Sequence, residues 1–314
     1  MKTLRLFGFA LLMVSLGFVS CGDDDDDMDN DPQTISNLAS ETADLSSLVA
    51  ALGAADLVST LEGDGPFTVF APTNAAFDKF LSDNGFATVA DVPADLLKNI
   101  LLNHVVGGKN LSTGLATGYV ESSATGAGGN AMNMYISTDG SVTINGVSTV
   151  ATADIDASNG VIHIVDAVIG LPTVVTFATA DPTFSTLVSA LTRESLGVDY
   201  VGVLSGEGPF TVFAPTNDAF GALLTELSAG GLGDIDDATL NAVLQYHVVN
   251  GANVRAGDLT DGQVVATFGA AEFTIDLSDG ASITDANDRN TKIVVTDVQA
   301  NNGVIHVVSQ VLLP

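Results

Sequence analysis

Apolar residues recur at helical spacing early in the chain and at strand spacing later, and the whole pattern occurs twice. Leu45, Leu48, Val49 and Leu52 fall at i, i+3, i+4 and i+7, which predicts a helix with Asp44 as its N-cap. Phe184, Leu187, Val188 and Leu191 repeat the stripe. Phe67 to Ala71 is a short β-forming run and reads as a strand. Pro72-Thr73-Asn74 breaks it, and Thr73 or Asn74 can cap the following helix with Phe77 and Phe80. Pro93 opens another helical stripe, Leu96, Leu97, Ile100 and Leu101. After His104 the period changes. Val142 to Val147 alternates around an Asn145-Gly146 hairpin turn. Val161 to Ile169 predicts the last strand, with Ile162 and Ile164 on one face and Val161, His163 and Val165 on the other. Helices precede strands, so the class is α+β.

The repetition is explicit in the residues. Gly65 to Asn74 returns unchanged as Gly208 to Asn217, His104-Val105-Val106 as His247-Val248-Val249, and Asn159 to His163 as Asn302 to His306, all offset by 143. Leu48-Val49 matches Leu187-Val188 at 139, so the second copy gains four residues ahead of the Gly-Pro-Phe block. The copies are placed at 34–172 and 173–314, each long enough to bury a core of its own.

The first twenty residues read as an address. Lys2 and Arg5 precede an apolar run from Leu6 to Phe18, too short to span a bilayer comfortably but suited to a signal peptide. Residues 1–20 are therefore assigned as a lipoprotein signal peptide. Cys21, the single cysteine of the chain, follows Ser20 and is the candidate lipidation site. Phe18 stands where Leu is usual, and an ordinary secretory signal is the alternative. Seven aspartates between Asp23 and Asp31 repel one another, and 21–33 reads as a solvated tether. The run also resembles the acidic stretch that sends some Gram-negative lipoproteins to the outer cell surface. The expected location is the cell envelope, lipid-anchored to the outer membrane and surface-exposed.

Charge narrows the partners. Nine basic residues against 38 acidic ones give a net charge of −29. No basic face is available for nucleic acid, and an anionic membrane surface would repel the protein. Membrane contact is therefore expected only through the lipid anchor. A single cysteine rules out a disulfide framework.

The repeated blocks resemble the fasciclin domain. That family carries a Thr-Val-Phe-Ala-Pro-Thr-Asn block, here Thr68 to Asn74 and Thr211 to Asn217. It carries a mid-domain Tyr-His pair, here Tyr246-His247, with Asn103-His104 in the first copy, and a terminal Asn-Gly-Val-Ile-His block. The resemblance implies tandem fasciclin-like domains, each a wedge-shaped β-sandwich with several packed helices. It implies adhesion or matrix binding as the usual role. It also implies Tyr246, His247 and His104 as candidate ligand-binding residues, since the Tyr-His position is tied to receptor binding in some animal members.

The remaining chemistry is sparse. Four histidines, His104, His163, His247 and His306, occupy repeat-equivalent apolar contexts. They read either as a metal or proton-transfer set or as buried rings tying a strand to a loop. No His-Glu-x-x-His pattern and no Gly-x-Ser-x-Gly elbow occurs. Asp276, Asp279, Asp285, Asn287 and Asp288 cluster near the second copy's counterpart of the Asn145-Gly146 turn. Of these, Asp279, Asp285, Asn287 and Asp288 are weak calcium candidates, against a solvated hairpin tip. No catalytic residue, resident metal or cofactor is assigned. The expected function is non-catalytic attachment to a cell-surface or matrix protein or a polysaccharide, with a Ca2+ dependence to be tested. The alternatives are an envelope protein binding neighbours in its own cell and a cryptic hydrolase using His247 or His306.

Overall fold

The computed structural model describes residues 33–314. The signal peptide, Cys21 and the tether up to Pro32 lie outside the described residues.

The Thr-Val-Phe-Ala run forms β1 (Phe67–Pro72), buried along nearly its whole length. It pairs in parallel with β7 (Gly160–Val165) and antiparallel with β2 (Val105–Gly107). Between them in the chain come β3 (Gly118–Thr125), β4 (Ala131–Ser137), β5 (Thr143–Ile144) and β6 (Ser148–Ala157). The Asn145-Gly146 hairpin joins β5 to β6, both residues at positive φ, 53° and 68°, as a tight hairpin turn requires. The second copy repeats the order with β8 (Phe210–Pro215), β9 (Val248–Asn250), β10 (Val264–Ala266), β11 (Glu272–Asp276), β12 (Ser282–Thr284), β13 (Asn290–Ala300) and β14 (Gly303–Val308).

Two expectations change here. The β-sandwich gives way in the first copy to a closed barrel, β1 through β7 in chain order. Its eight-residue β3 reaches β2 at Val106↔Ser122 and closes the ring. In the second copy β10 has three residues and the seven-stranded sheet stays open between β9 and β10. One bond from Phe268 N–H to the Val248 carbonyl, 2.6 Å, crosses that seam. The last strand of the first copy also ends early, at Val165, because the chain beyond is drawn toward a buried histidine described below.

Helices cover one side of each sheet. In the first copy they are α1 (Ile35–Glu41), α2 (Ser46–Ala54), α3 (Val58–Leu61), α4 (Asn74–Asp83) and α5 (Ala94–Leu102). Period-two alternation of β1 sends Val69 and Ala71 into this helical layer, with Leu48, Leu52, Phe77 and Leu101. It sends Phe70 into the barrel, with Met134, Ile136, Ile144 and Val165. The second copy carries α6 (Val174–Ala180), α7 (Ser185–Leu191), α8 (Tyr200–Leu204), α9 (Asn217–Glu226) and α10 (Asp237–Tyr246).

The Pro-Thr-Asn break has two separate jobs. Thr73 caps α4, its hydroxyl accepting from Ala76 N–H at 3.2 Å. Asn74 reaches back across the chain and accepts from Ser47 N–H at 2.8 Å, supplying α2 with the cap expected from Asp44. Thr216 and Asn217 repeat both contacts on Ala219 and Thr186. Asp44 itself sits inside the one-turn helix that precedes α2.

One asparagine per copy ties the parallel strand pair to the helices. Buried Asn159 accepts from Ile35 N–H at 2.9 Å and donates to the Leu61 and Gly63 carbonyls at 2.7 and 2.8 Å. Its own carbonyl accepts from Phe67 N–H at 3.0 Å. Asn302 repeats every contact, on Val174, Leu204, Gly206 and Phe210. The next residue must be glycine, since a Cβ on Gly160 or Gly303 would collide with the carbonyl of Phe67 or Phe210.

The two copies pack as parts of one compact unit, Gln33–Pro314. Tyr119 of β3 stands edge-on to Phe177 of α6 with ring centres 5.5 Å apart. Its hydroxyl donates to buried Asp181 at 3.0 Å. Asn133 of β4 accepts from the Gln299 N–H of β13 at 2.7 Å. Tyr135 packs with the second copy's core rather than its own.

Asn302→Ala leaves the buried Val174 N–H and Leu204 carbonyl without partners and frees the more exposed Gly206 carbonyl. Urea denaturation should show a loss of about 2–4 kcal/mol. Asn301→Ala, at the exposed neighbour, should shift stability by less than about 0.5 kcal/mol. Equal effects would remove the clamp's assigned role.

Candidate functional site

The sequence-predicted site residues come together as internal latches. His104 follows the last turn of α5 and is buried. Its Nδ1–H donates to the Ile100 carbonyl at 2.8 Å, and its Nε2 accepts from Ile169 N–H at 2.9 Å. The ring therefore pins the segment after β7 to the end of α5. His247 repeats the arrangement on the Val243 carbonyl and Leu312 N–H, at 2.7 and 2.9 Å. One nitrogen gives and the other receives, which requires neutral imidazole. Desolvation favours the same form and lowers both pKa values from 6.5 to about 4.

His163 and His306 form the second pair. His163 Nε2–H donates to the Asn110 carbonyl at 2.9 Å, while Nδ1 accepts from Asp154 N–H at 3.2 Å. Asp154 adopts φ 63° at an irregularity in the β6 ladder, which presents its N–H to the ring. Ser112, through hydroxyl and backbone N–H, holds the Asp154 carboxyl below the usual range. His306 repeats the bridge between the Val254 carbonyl and Asp297 N–H. Burial pushes its pKa down. Each ring lies against the phenylalanine of its own block, Phe70 or Phe213, with centres 5.5 and 5.4 Å apart.

Tyr246 is fully buried. Its hydroxyl donates to the Glu272 carbonyl at 2.6 Å and accepts from Ala286 N–H at 3.1 Å. Asn103, its counterpart, is equally buried and bonds the Gly170 carbonyl and the Ser122 hydroxyl, both at 2.9 Å. As folded, Tyr246, His247 and His104 offer no polar atom to an outside ligand.

The acidic residues of the second copy are dispersed. Asp285 is buried at the β12–β13 turn and accepts from Asn287, Arg289 and Leu313 N–H groups at 3.0, 3.0 and 3.1 Å. Asp276 accepts from Ser278 and Asn290 side chains at another turn. Asp279 is solvated, 3.7 Å from Lys292. Asn287 spends its N–H on Asp285, and Asp288 turns its backbone at φ 57°. Among the described residues, no three His, Cys, Asp or Glu converge in a geometry that could hold a metal.

Two further residues of the repeated blocks are held inside the fold. Thr68 accepts from Asn110 N–H at 2.9 Å and donates to the Gly108 carbonyl at 2.7 Å. Thr211 does the same with Val254 and Ala252. Their identity in both copies was the available signal. Tyr119 and Asp181 gave no such signal, since neither belongs to a repeated block.

The fold and its latches define a tandem pair of α+β modules whose repeated polar residues serve architecture. The fasciclin domain model matches residues 43–172 and 182–314, and the chain belongs to that family. Protein sll1483 of Synechocystis sp. is 44% identical over 170 residues, covering 54% of this chain and 89% of that protein. Transforming growth factor-beta-induced protein ig-h3 of Sus scrofa is 31% identical over 258 residues, 81% of this chain. Human periostin is 29% identical over 277 residues, 86% of this chain. The chain spans about a third of both animal proteins, 35% and 30%. A FAS1 domain pair from the insect cell adhesion molecule Fasciclin I superposes with TM-score 0.52 at 19% identity, covering 85% of this chain and 97% of that one. This last likeness shows the fold.

The neutral histidines set a pH window. The unfolded chain takes up protons as pH falls through 6.5, whereas folded His104 and His247 resist until about 4. Stability from this source is full above 6.5 and is lost between 6.5 and 4, roughly 3 kcal/mol per ring. The urea midpoint should fall across that window. A His104→Gln, His247→Gln double variant should be weaker at pH 7 but flatter with pH. An unchanged slope would assign the acid loss elsewhere.

Proposed function

We propose that this chain is a surface-anchored, non-catalytic adhesion protein, attaching its cell to a matrix or surface protein or to an extracellular polysaccharide. The observation that carries the reading is the fasciclin pair itself, the fold of an insect cell adhesion molecule's domain pair. The site geometry supports it from the other side. A hydrolase built on His247 or His306 would need a free ring nitrogen facing substrate, and both nitrogens of each ring are bonded inside the fold.

Attachment then rests on surfaces and valency. Cys21 carries the lipid anchor, the acidic tether holds the pair off the membrane, and many copies act together. Anchoring raises effective concentration toward the millimolar range, so weak single contacts gain about 10²- to 10⁴-fold in avidity. The net charge of −29 favours neutral or basic partners. Asp285 and Asp276 are already engaged in internal bonds, so attachment is expected to survive chelation.

Cells displaying the full chain should retain beads coated with matrix protein or polysaccharide, equally with Ca2+ and with chelator. Cys21→Ser should move the protein out of the membrane fraction and reduce retention by at least about 10²-fold. Retention unchanged by Cys21→Ser would refute the anchor. Absence of retention on every surface would transfer the protein to the envelope-structural reading.

A further inference from the structure

The barrel of the first copy closes at a single register pair, Val106↔Ser122. Beyond that pair β2 and β3 diverge. Over Gly118–Glu121, β3 has β4 on one side and no strand on the other. The opening is a cavity of about 550 Å³, within the range of ligand pockets. Its floor is apolar, formed by the half-buried Leu115 and Val120, which pack over Phe70 and Ile136 of the barrel core. Its rim is polar, with Asn110, Thr117 and the exposed Glu121.

Two features keep the seam apart. Tyr119 fastens β3 from outside to Phe177 and Asp181 of the second copy, so the strand cannot swing toward β2. The 108–117 connection is held by Thr68, by His163 and by Asp154, which accepts from Ser112 N–H and hydroxyl. The second copy fills the matching interior with the Tyr246 and Phe273 rings, edge to face at 5.8 Å. In the first copy Asn103 occupies the Tyr246 position and bonds the Gly170 carbonyl and the Ser122 hydroxyl instead.

We infer that this open seam is a docking slot for the end of a peptide chain bearing an apolar side chain and a positive charge. Three observations choose this occupant. A strand edge without a partner offers alternating N–H and C=O groups, which an extended backbone satisfies. The apolar floor takes one side chain facing the barrel. The carboxylate of Glu121, on a chain of net charge −29, selects a basic group on the outer face. The Val106–Ser122 pair and the 108–117 connection bound the slot at its two ends. It holds about four residues, some 13 Å, and admits a chain end rather than a strand passing through. The inference deepens the adhesion reading by naming a protein partner and the place it is held.

The probe is the tetrapeptide Lys-Val-Thr-Val with a free amino terminus and a fluorophore at its other end, titrated against the full chain. Binding in the micromolar to millimolar range is expected, with amide shifts centred on Gly118–Glu121. Gly107 lies at the mouth and a Cβ there meets nothing within 4 Å, so Gly107→Phe adds a ring at the entrance without a clash at its first atom. It should weaken binding at least tenfold, as should Glu121→Lys. A backbone N-methylated tetrapeptide should bind at least tenfold more weakly than its parent. Equal binding to Gly107→Phe, equal binding of the N-methylated probe, no binding at 10 mM, or displacement by a neutral oligosaccharide that shifts the same amides would each overturn the inference. The cell-retention assay separates the two readings. Gly107→Phe cells that still hold matrix beads leave adhesion standing and remove the slot, whereas parent cells that hold nothing remove adhesion itself.

Discussion

Each copy depends on keeping a parallel strand pair joined at the end where both strands begin. Parallel strands need a long connection, and here the connection is more than half of the domain. Asn159 and Asn302 solve this with one side chain. Each bonds the first helix, the turn after the third helix and, through its own backbone, the start of the central strand. Buried amides with all partners present are specific, because no other side chain of that size offers two donors and an acceptor in that geometry. The glycine that follows brings the strands together where a Cβ would strike backbone. The helical layer, the barrel and the late hairpins are arranged around this junction.

The copies then diverge within a shared plan. The first closes its barrel and keeps an open seam, whereas the second leaves its sheet open and fills the interior with aromatic rings. The long β3 accounts for the difference. It carries Tyr119, which belongs to the joint between copies, and it extends far enough to meet β2. Joint and seam thus meet on one strand, the joint through the Tyr119 side chain and the seam along the edge turned away from β4.

Much of this was legible in the sequence, for physical reasons that differ by element. The helical stripes of Leu45–Leu52 and Phe184–Leu191 are recognisable because burial at period 3.6 leaves a direct trace. The Asn145-Gly146 turn is recognisable because few residues tolerate positive φ. The exact duplication of Gly65–Asn74 announced two equivalent units. Asp44 failed as a cap because the acceptor came from Asn74, and a contact 27 residues away leaves no local pattern. Barrel closure was hidden for the same reason, resting on one pair between separated strands. Tyr246, His247 and His104 stand out in the sequence as ligand-binding candidates, but sequence cannot tell a residue held inside from one held out to a ligand. Burial decides that, and it consigns all three to the interior.

Both domains rest on His104 and His247 working as neutral internal latches. Nitrogen-15 NMR of the imidazole rings tests it most directly. His104 and His247 should show Nδ1 protonated and Nε2 bare, with shifts that do not move between pH 8 and pH 6. Rings titrating near 6.5, or exchanging between tautomers, would show nitrogens free to meet solvent and ligand, and would contradict the account.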